Sequence, residues 1–222
     1  MHCQNYEISQ SEVKSQKSKV KSSNIIELAL KSGCRSIAYT YTEPTIFLEY
    51  ALDVMKLAKT KGLKNVWVSN GYFTPQTFET ILPYLDAINI DLKFITEADY
   101  QKVCGAKLAP VMRNIKLCFD NKVHVEITTL VIPGINDSRQ YLSKIVKFIS
   151  GISRDIPWHI SRFHPAFKLN NLEQTSDQAL RLGFEVGKKA GLNYVYLGNT
   201  ALEIGQNTYC PVCRSILIER AG

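Results

Sequence analysis

The chain has 222 residues, 45% of them hydrophobic and 21% charged, a globular composition that excludes disorder, collagen or coiled coil as a description of the whole. Its 27 lysines and arginines exceed its 20 aspartates and glutamates, which gives a net charge of +7. No apolar run predicts a transmembrane helix, and the N-terminus lacks the apolar core of a secretory signal, so we expect a cytoplasmic protein without a membrane partner.

Helix and strand patterns alternate along the chain. Helices are predicted to begin at capping residues or proline, namely Asn24, Pro44, Thr74, Ser138 and Ser176, with two further helical stretches over residues 97–103 and 108–120. Strands rich in Val, Ile and Tyr are predicted over residues 35–41, 65–69, 87–92, 123–132, 158–163 and 193–198. Six strands separated by helices predict a parallel sheet with crossover helices.

The number of units predicts a partial barrel. A complete eight-unit barrel takes about 250 residues, so this chain predicts an α/β fold of the partial (β/α)6 type. Residues 1–23 carry no strand pattern, so we expect the first strand upstream and interpret the sequence as truncated at both ends. The expected organisation is a barrel over residues 1–200 and an incomplete C-terminal extension over residues 201–222.

One segment, residues 11–23, concentrates positive charge, with four lysines and one glutamate. A basic chain suits acidic partners such as nucleic acid or phosphates, and a solvated lysine face explains the same pattern. No aromatic residue interleaves with these lysines, so a base-stacking surface is not indicated and nucleic acid is not the expected partner.

The chain has six cysteines, and without a secretory signal reduced thiols are expected. Cys34 and Cys118 are expected to be buried structural thiols. Cys104 is either a substrate-facing or a structural thiol. Cys210 and Cys213 have the spacing of half a tetrahedral thiolate site. That pair is interpreted as a zinc-ribbon-like or auxiliary metal half-site, or as a plain pair of thiols.

Polar residues follow most of the predicted strands. In parallel barrels the chemistry lies at the C-terminal ends of the strands, so these residues could share one mouth, although polar strand ends occur in any protein. A lysine beside carboxylates can hold a ligand carboxylate, and a glutamate can accept hydrogen bonds from a ligand ammonium. The candidates are Thr42, Glu43, Ser69, Asn70, Asp91, Lys93, Thr128, Thr129, His164, Asn199 and Thr200.

The segment CQNYEISQ, residues 3–10, is similar to the one that follows the last cysteine of the Cys-x3-Cys-x2-Cys loop in radical S-adenosylmethionine (SAM) enzymes. The resemblance continues through YTYTEPTIF, VSNGY, INIDLK, VCGAKLAPV, EITTLVIPGINDS, RFHP and NTYCPVC. Within this superfamily the chain most resembles enzymes related to pyruvate formate-lyase-activating enzyme, and among these the radical SAM member of the AmmeMemoRadiSam gene system.

The resemblance implies roles at the cluster and at the amino end of SAM. Cys3 would be the third thiolate of a [4Fe-4S] cluster. Thr42 and Glu43 lie where the family has the Gly-Gly-Glu-Pro motif that receives the SAM ammonium, and here both glycines are replaced. Asn70 lies in the loop that lines the SAM site.

Three further positions match the family at the rest of SAM. Asp91 and Lys93 match its Asp-Leu-Lys motif, whose lysine meets the SAM carboxylate. His164 matches a histidine near the SAM ribose. The resembling family also continues past Cys213 with a second cysteine pair, which this chain lacks.

The implied chemistry is radical formation. A reduced cluster cleaves SAM to a 5′-deoxyadenosyl radical, which abstracts hydrogen from an unidentified substrate. A flavodoxin- or ferredoxin-like one-electron donor and a protein substrate are the partners that this resemblance suggests. The first two cysteines of the cluster loop are absent, so the chain as written is not expected to assemble the normal cluster.

Two other interpretations stay open. The chain could be a cluster-free module that binds SAM or a partner. It could also be a basic zinc-ribbon protein that binds nucleic acid, as its charge and the Cys210–Cys213 pair suggest. The last interpretation is the weakest, because no base-reading or stacking motif accompanies the charge.

Overall fold

A computed structural model describes residues 20–220. Within this range six parallel strands form one sheet, and their order in the sheet repeats their order in the chain. The strands are β1 (Ser36–Tyr39), β2 (Lys64–Ser69), β3 (Ala87–Asp91), β4 (His124–Val131), β5 (Trp158–Arg162) and β6 (Val195–Gly198). This succession of neighbouring parallel strands and crossover helices confirms the predicted α/β partial barrel.

Helices connect the strands and cover the outer face of the sheet. They are α1 (Ser22–Lys31), α2 (Leu48–Thr60), α3 (Pro75–Ile81), α4 (Leu108–Asp120), α5 (Arg139–Ser150) and α6 (Asp177–Lys189). Shorter helical turns occupy Pro44–Phe47, Glu97–Asp99, Tyr100–Cys104 and Phe167–Leu169. No helix in the described part of the chain is long and apolar enough to cross a membrane.

Helix capping agrees with the sequence at three positions and differs at one. The side chains of Thr74, Ser138 and Ser176 each accept a hydrogen bond from the backbone N–H three residues ahead, as predicted for N-caps. The predicted cap at Asn24 is wrong, because α1 begins at Ser22 with Lys21 in the cap position. The Asn24 N–H instead donates to the Lys21 carbonyl at 3.0 Å, inside the first turn.

Side chains alternate strictly along the strands. In β4, Val125, Ile127 and Val131 are buried beneath the helices, whereas Glu126 and Thr128 lie half-exposed on the opposite, concave face. The strands β2, β3, β5 and β6 show a similar alternation, which follows from the two-residue period of an extended chain. The sheet therefore has one apolar face and one polar, partly open face.

The C-terminal segment forms a small antiparallel hairpin that the sequence did not predict. Its strands are β7 (Thr208–Tyr209) and β8 (Ile216–Ile218). The chain before β7 runs beside β6, where the Leu197 N–H donates to the Gly205 carbonyl at 3.1 Å. The hairpin is thereby tied to one edge of the sheet.

Gly71 is the glycine where a side chain is most strongly excluded. Its φ is +72°, and a Cβ there would lie 2.7 Å from Cγ2 of Ile90. Gly62 has nearly the same φ, +73°, but nothing within 4 Å of its Cβ position. We expect Gly62→Ala to lower the free energy of unfolding by about 1 kcal/mol, the cost of the left-handed conformation alone.

We expect Gly71→Ala to lower the free energy of unfolding by about 2–4 kcal/mol, because overpacking against Ile90 adds to the cost of the left-handed conformation. Urea titration of both variants measures the difference. Equal losses of unfolding free energy in the two variants would show that the side chains around Gly71 move aside for a Cβ without loss of stability.

Candidate functional site

The loops after β1 and β2 meet at one buried carboxylate, Glu43, which is 8% exposed. Its Oε1 accepts hydrogen bonds from Ser69 Oγ at 2.8 Å and from Thr45 Oγ1 at 3.1 Å and N at 3.4 Å. Its Oε2 accepts from the Asn70 N–H at 2.8 Å. Each carboxylate oxygen has about two acceptor positions, so protein donors among residues 20–220 fill Oε1 of Glu43, whereas Oε2 retains a position beside the Asn70 N–H.

The loop after β2 is held by further polar contacts. Ser69 Oγ accepts from the Gly71 N–H at 3.0 Å, and Asn70 Oδ1 accepts from the Tyr72 N–H at 2.8 Å. From below, the fully buried Asn114 donates to the carbonyls of Gly71 and Phe73 at 2.7 and 2.8 Å. Asn70 is thus presented at the surface on a fixed backbone, and Thr42 is exposed in the loop after β1.

Asp91 and Lys93 lie at the C-terminal end of β3. Lys93 Nζ and Asp91 Oδ2 are 2.6 Å apart, and their side chains are 27% and 33% exposed. Thr128 is the register partner of Asp91 on β4, and it donates to Asn89 Oδ1 at 2.8 Å. A half-exposed ion pair adds little to stability. The pair instead offers an ammonium and a carboxylate to a ligand at this end of the sheet.

The remaining candidates lie at the ends of β5 and β6. His164 is exposed and borders a cavity of about 400 Å³ together with Asn199 and Thr200. Arg162 spans this cavity, because its guanidinium donates to Thr200 Oγ1 at 3.0 Å and pairs with Asp177. His164 therefore belongs to the β5–β6 part of the rim, and the Asp91–Lys93 pair to the β3 part.

One predicted mouth residue faces the other way. Thr129 is fully buried on the helix-covered side of the sheet, where its hydroxyl donates to the Leu92 carbonyl and accepts from Trp158 Nε1, both at 3.0 Å. The prediction that Thr129 lines the mouth with Thr128 is wrong. Consecutive strand residues point to opposite faces, so only one of the two can line it.

A charged cluster on the concave face was missed. Glu126 Oε2 lies 2.8 Å from His159 Nε2, and its Oε1 lies 3.3 Å from His124 Nε2. The His159 ring stacks on Tyr196, with centroids 5.1 Å apart. Hydrogen bonds from the two histidines hold the pKa of Glu126 well below its usual range. The sequence did contain a signal for this cluster: Glu126 lies two residues before Thr128 on β4, so the two side chains share one face.

The cysteines behave differently from one another. Cys118 is fully buried, as expected, and burial raises its pKa to about 12, whereas Cys34 is exposed, so its predicted burial is wrong. Burial also raises the pKa of Cys104, while the nearby Lys93 charge acts in the opposite direction. Cys3 lies outside the described residues.

Cys210 and Cys213 occupy the turn between β7 and β8. The Arg214 N–H donates to the Cys210 carbonyl at 3.0 Å, and the Cys210 N–H donates to the Ser215 carbonyl at 2.8 Å. Hydrogen bonding by Ser215, whose Oγ is 3.1 Å from the sulfur, lowers the pKa of Cys213 to about 7. Within residues 20–220, no three His, Cys, Asp or Glu side chains come together as a metal site.

Comparison with known proteins identifies the family. The profile described as "Radical SAM superfamily" matches residues 1–148, and the chain therefore belongs to that superfamily. Over 99% of its length it is 40% identical to the uncharacterized protein MJ0808 of Methanocaldococcus jannaschii, and it covers 66% of that protein. It is also 24% identical, over 55% of its length, to the pyruvate formate-lyase-activating enzyme of Clostridium pasteurianum, of which it covers 53%.

Solved structures show the same fold. A domain of pyruvate-formate lyase-activating enzyme from Bacteroides vulgatus superposes with a TM-score of 0.65 at 16% identity, over 73% of this chain and 98% of that one. SuiB of Streptococcus suis bound to S-adenosylmethionine gives a TM-score of 0.66 at 12% identity, over 83% of this chain and 45% of that one. At these identities the likeness concerns the fold alone.

The Glu126 cluster predicts a pH-dependent contribution to stability. The lowered pKa of Glu126 means that its contribution is present above the ordinary value of 4.5 and is lost as the pH falls. The hydrogen bond to Glu126 raises the pKa of His124, so that contribution is present below 6.5 and is lost as the pH rises through the raised value.

We therefore expect Glu126→Gln to lower the free energy of unfolding most between about pH 5 and 6.5, by on the order of 1 kcal/mol because these side chains are partly solvated. The loss should shrink towards pH 3 and pH 9. Glu185→Gln removes an exposed pairing with Arg139 and serves as the control, with no such maximum. A pH-independent loss would contradict an ionic role for the cluster.

Proposed function

We propose that this radical SAM protein is an activating-type enzyme, related to pyruvate formate-lyase-activating enzymes and to the radical SAM member of the AmmeMemoRadiSam system. One observation carries the proposal. The half-exposed Asp91–Lys93 pair lies at the C-terminal end of β3, one strand from the loop that Glu43 fixes. SAM carries an ammonium and a carboxylate, and these groups can be recognised by such a pair and by loop acceptors.

The residues take distinct roles in binding SAM. Lys93 receives the carboxylate, and Asp91 orients the Lys93 ammonium from 2.6 Å away. Glu43 receives the SAM ammonium through Oε2, whose one protein donor in the described part of the chain is the Asn70 N–H, while Ser69 and Thr45 hold the carboxylate in place through Oε1.

The exposed loop residues complete the proposed SAM site. Thr42 and Asn70, at the surface of the two joined loops, line the ammonium end. His164, on the β5–β6 side of the rim, lies towards the ribose.

The proposed [4Fe-4S] cluster is held outside the described region. The resemblance of residues 3–10 to the segment that follows the cluster loop assigns one cluster thiolate to Cys3. When bound, the reduced cluster and SAM supply a radical that abstracts hydrogen from the substrate. A flavodoxin- or ferredoxin-like protein would supply the electron, and the substrate would be a protein.

The concave face is the proposed path of the substrate. Below Asp91 it carries Asn89, Thr128, Glu126 and His159, all half-exposed. The interior of a closed barrel is filled by branched apolar side chains, whereas this face offers hydrogen-bonding groups to a ligand. We propose that these side chains orient the substrate beneath the SAM site.

The domain organisation is proposed as a barrel over residues 1–200 followed by a metal-binding extension over residues 201–222. The extension holds a zinc half-site at Cys210 and Cys213, because Ser215 favours the Cys213 thiolate that zinc requires. Two thiolates fill half of a tetrahedral shell, and the other ligands would come from outside the described residues.

The test of SAM chemistry uses the native protein, purified without oxygen and with its natural N-terminus. We expect iron, SAM binding, and release of 5′-deoxyadenosine on reduction. Lys93→Gln should weaken SAM binding about 10–100-fold, the loss expected for one charge-assisted hydrogen bond. The matched control is Lys64→Gln, which breaks a similar pair with Asp86 at the opposite end of the sheet and should leave binding unchanged.

Three outcomes would count against parts of this proposal. SAM binding without iron or cleavage would favour a cluster-free binding module. Absence of both SAM binding and iron would reject a radical SAM activity. Equal effects of the two lysine substitutions would reject the assignment of Lys93 to the carboxylate.

Zinc analysis tests the extension. We expect zinc in the native protein to fall at least by half in Cys213→Ser, because the half-site loses one of its two thiolates. Cys34→Ser, which alters an exposed cysteine far from this turn in the sequence, should leave the zinc content unchanged. Native protein without zinc would contradict the proposed half-site.

A further inference from the structure

A separate cavity lies at the end of the barrel opposite the proposed SAM site. It is a partly open cavity lined by α6, by the chain that enters β6, and by the C-terminal hairpin, and its volume is about 220 Å³. Two cations, Lys188 and Arg214, line it. No aspartate or glutamate is among the lining residues that the structure describes. The cavity is therefore positively charged without a carboxylate of its own.

The two cations retain hydrogen-bonding capacity. Lys188 Nζ donates to the carbonyls of Leu192 and Asn193 at 3.3 and 3.0 Å. An ammonium has three N–H donors, so one remains. Arg214 has a left-handed backbone, with φ of +65°, at the turn that follows Cys213. Its guanidinium carries five N–H donors and borders the cavity.

The electrostatics of the cavity favour an anion. Burial, and then the charge of Arg214, lower the pKa of Lys188. The positive charge of Arg214 thus repels that of Lys188 across this space. An anion between them would relieve this repulsion and accept the unused donors, and a guanidinium presents paired N–H groups that match phosphate or carboxylate oxygens.

The aromatic residues that line the cavity indicate the shape of the uncharged part of the ligand. The rings of Phe184, Tyr194 and Tyr209 line the cavity, and flat aromatic faces pack against planar groups. The volume is below the usual range of about 300–1,000 Å³ for pockets that hold drug-sized ligands. A small ring with one anionic substituent matches both the walls and the size.

We propose that this cavity binds a small planar molecule bearing one oxyanion, held by Arg214 and Lys188 and stacked against Tyr194 and Tyr209. The site is independent of the proposed SAM chemistry, because it lies at the N-terminal end of β6. Ligand binding would also join α6 to the turn that carries Cys210 and Cys213.

Calorimetric titration of the native protein with phenyl phosphate, benzoate and inorganic phosphate tests this proposal. We expect phenyl phosphate or benzoate to saturate one site per chain and to bind at least tenfold more tightly than inorganic phosphate. The tighter of the two identifies the oxyanion. Absence of saturable binding by all three probes would overturn the proposal, and equal binding of inorganic phosphate would overturn the role of the rings.

Substitutions then locate the site. Arg214→Gln, at an exposed turn, and Lys188→Met should each weaken binding at least tenfold. Lys189→Met is the matched control, since Lys189 is the next residue of α6 and lies outside the cavity, exposed to solvent. Its affinity should stay within twofold of the native value. An equal loss in Lys189→Met would show attraction by overall charge and would overturn the site.

Discussion

The alternation of side chains along six parallel strands is the constraint on which the rest of the structure depends. It directs Trp67, Ile127 and Trp158 into the layer beneath the helices, where they are fully buried. The same alternation leaves Glu126 and His159 on the concave face. Because the apolar face alone forms the core, the other face can carry polar groups at little cost to stability. The polar, partly open face that we propose as the path of a substrate exists for this reason.

The site uses two carboxylates in opposite ways. Glu43 is buried and accepts hydrogen bonds from both loops, so it fixes their geometry. Asp91 is half-exposed and paired with Lys93, so it can respond to a ligand. The two groups have the same chemistry and differ in surroundings, and burial with several donors turns a carboxylate into a structural element.

The sequence predicts most of the secondary-structure elements and their caps, but it does not predict contacts between residues that are distant in the chain. The order of strands, and the caps at Thr74, Ser138 and Ser176, follow from short patterns and are confirmed. Glu43 accepts a hydrogen bond from Ser69, 26 residues away, and no local sequence pattern predicts such a contact. The hairpin also escapes prediction, because strands of two and three residues are too short to show a period.

The order of the strands also bears on how the chain folds. Each strand pairs with the strand that precedes it in the sequence, and a connecting helix such as α6 packs on the two strands that it joins. The segment between two paired strands is therefore as short as a parallel sheet allows. Because the entropy lost on closing a loop grows with its length, each pairing costs little conformational entropy. The sheet can grow by one unit at a time during synthesis, from β1 to β6, without waiting for distant segments. The hairpin, which depends on the finished edge of β6, is then the last part to assemble.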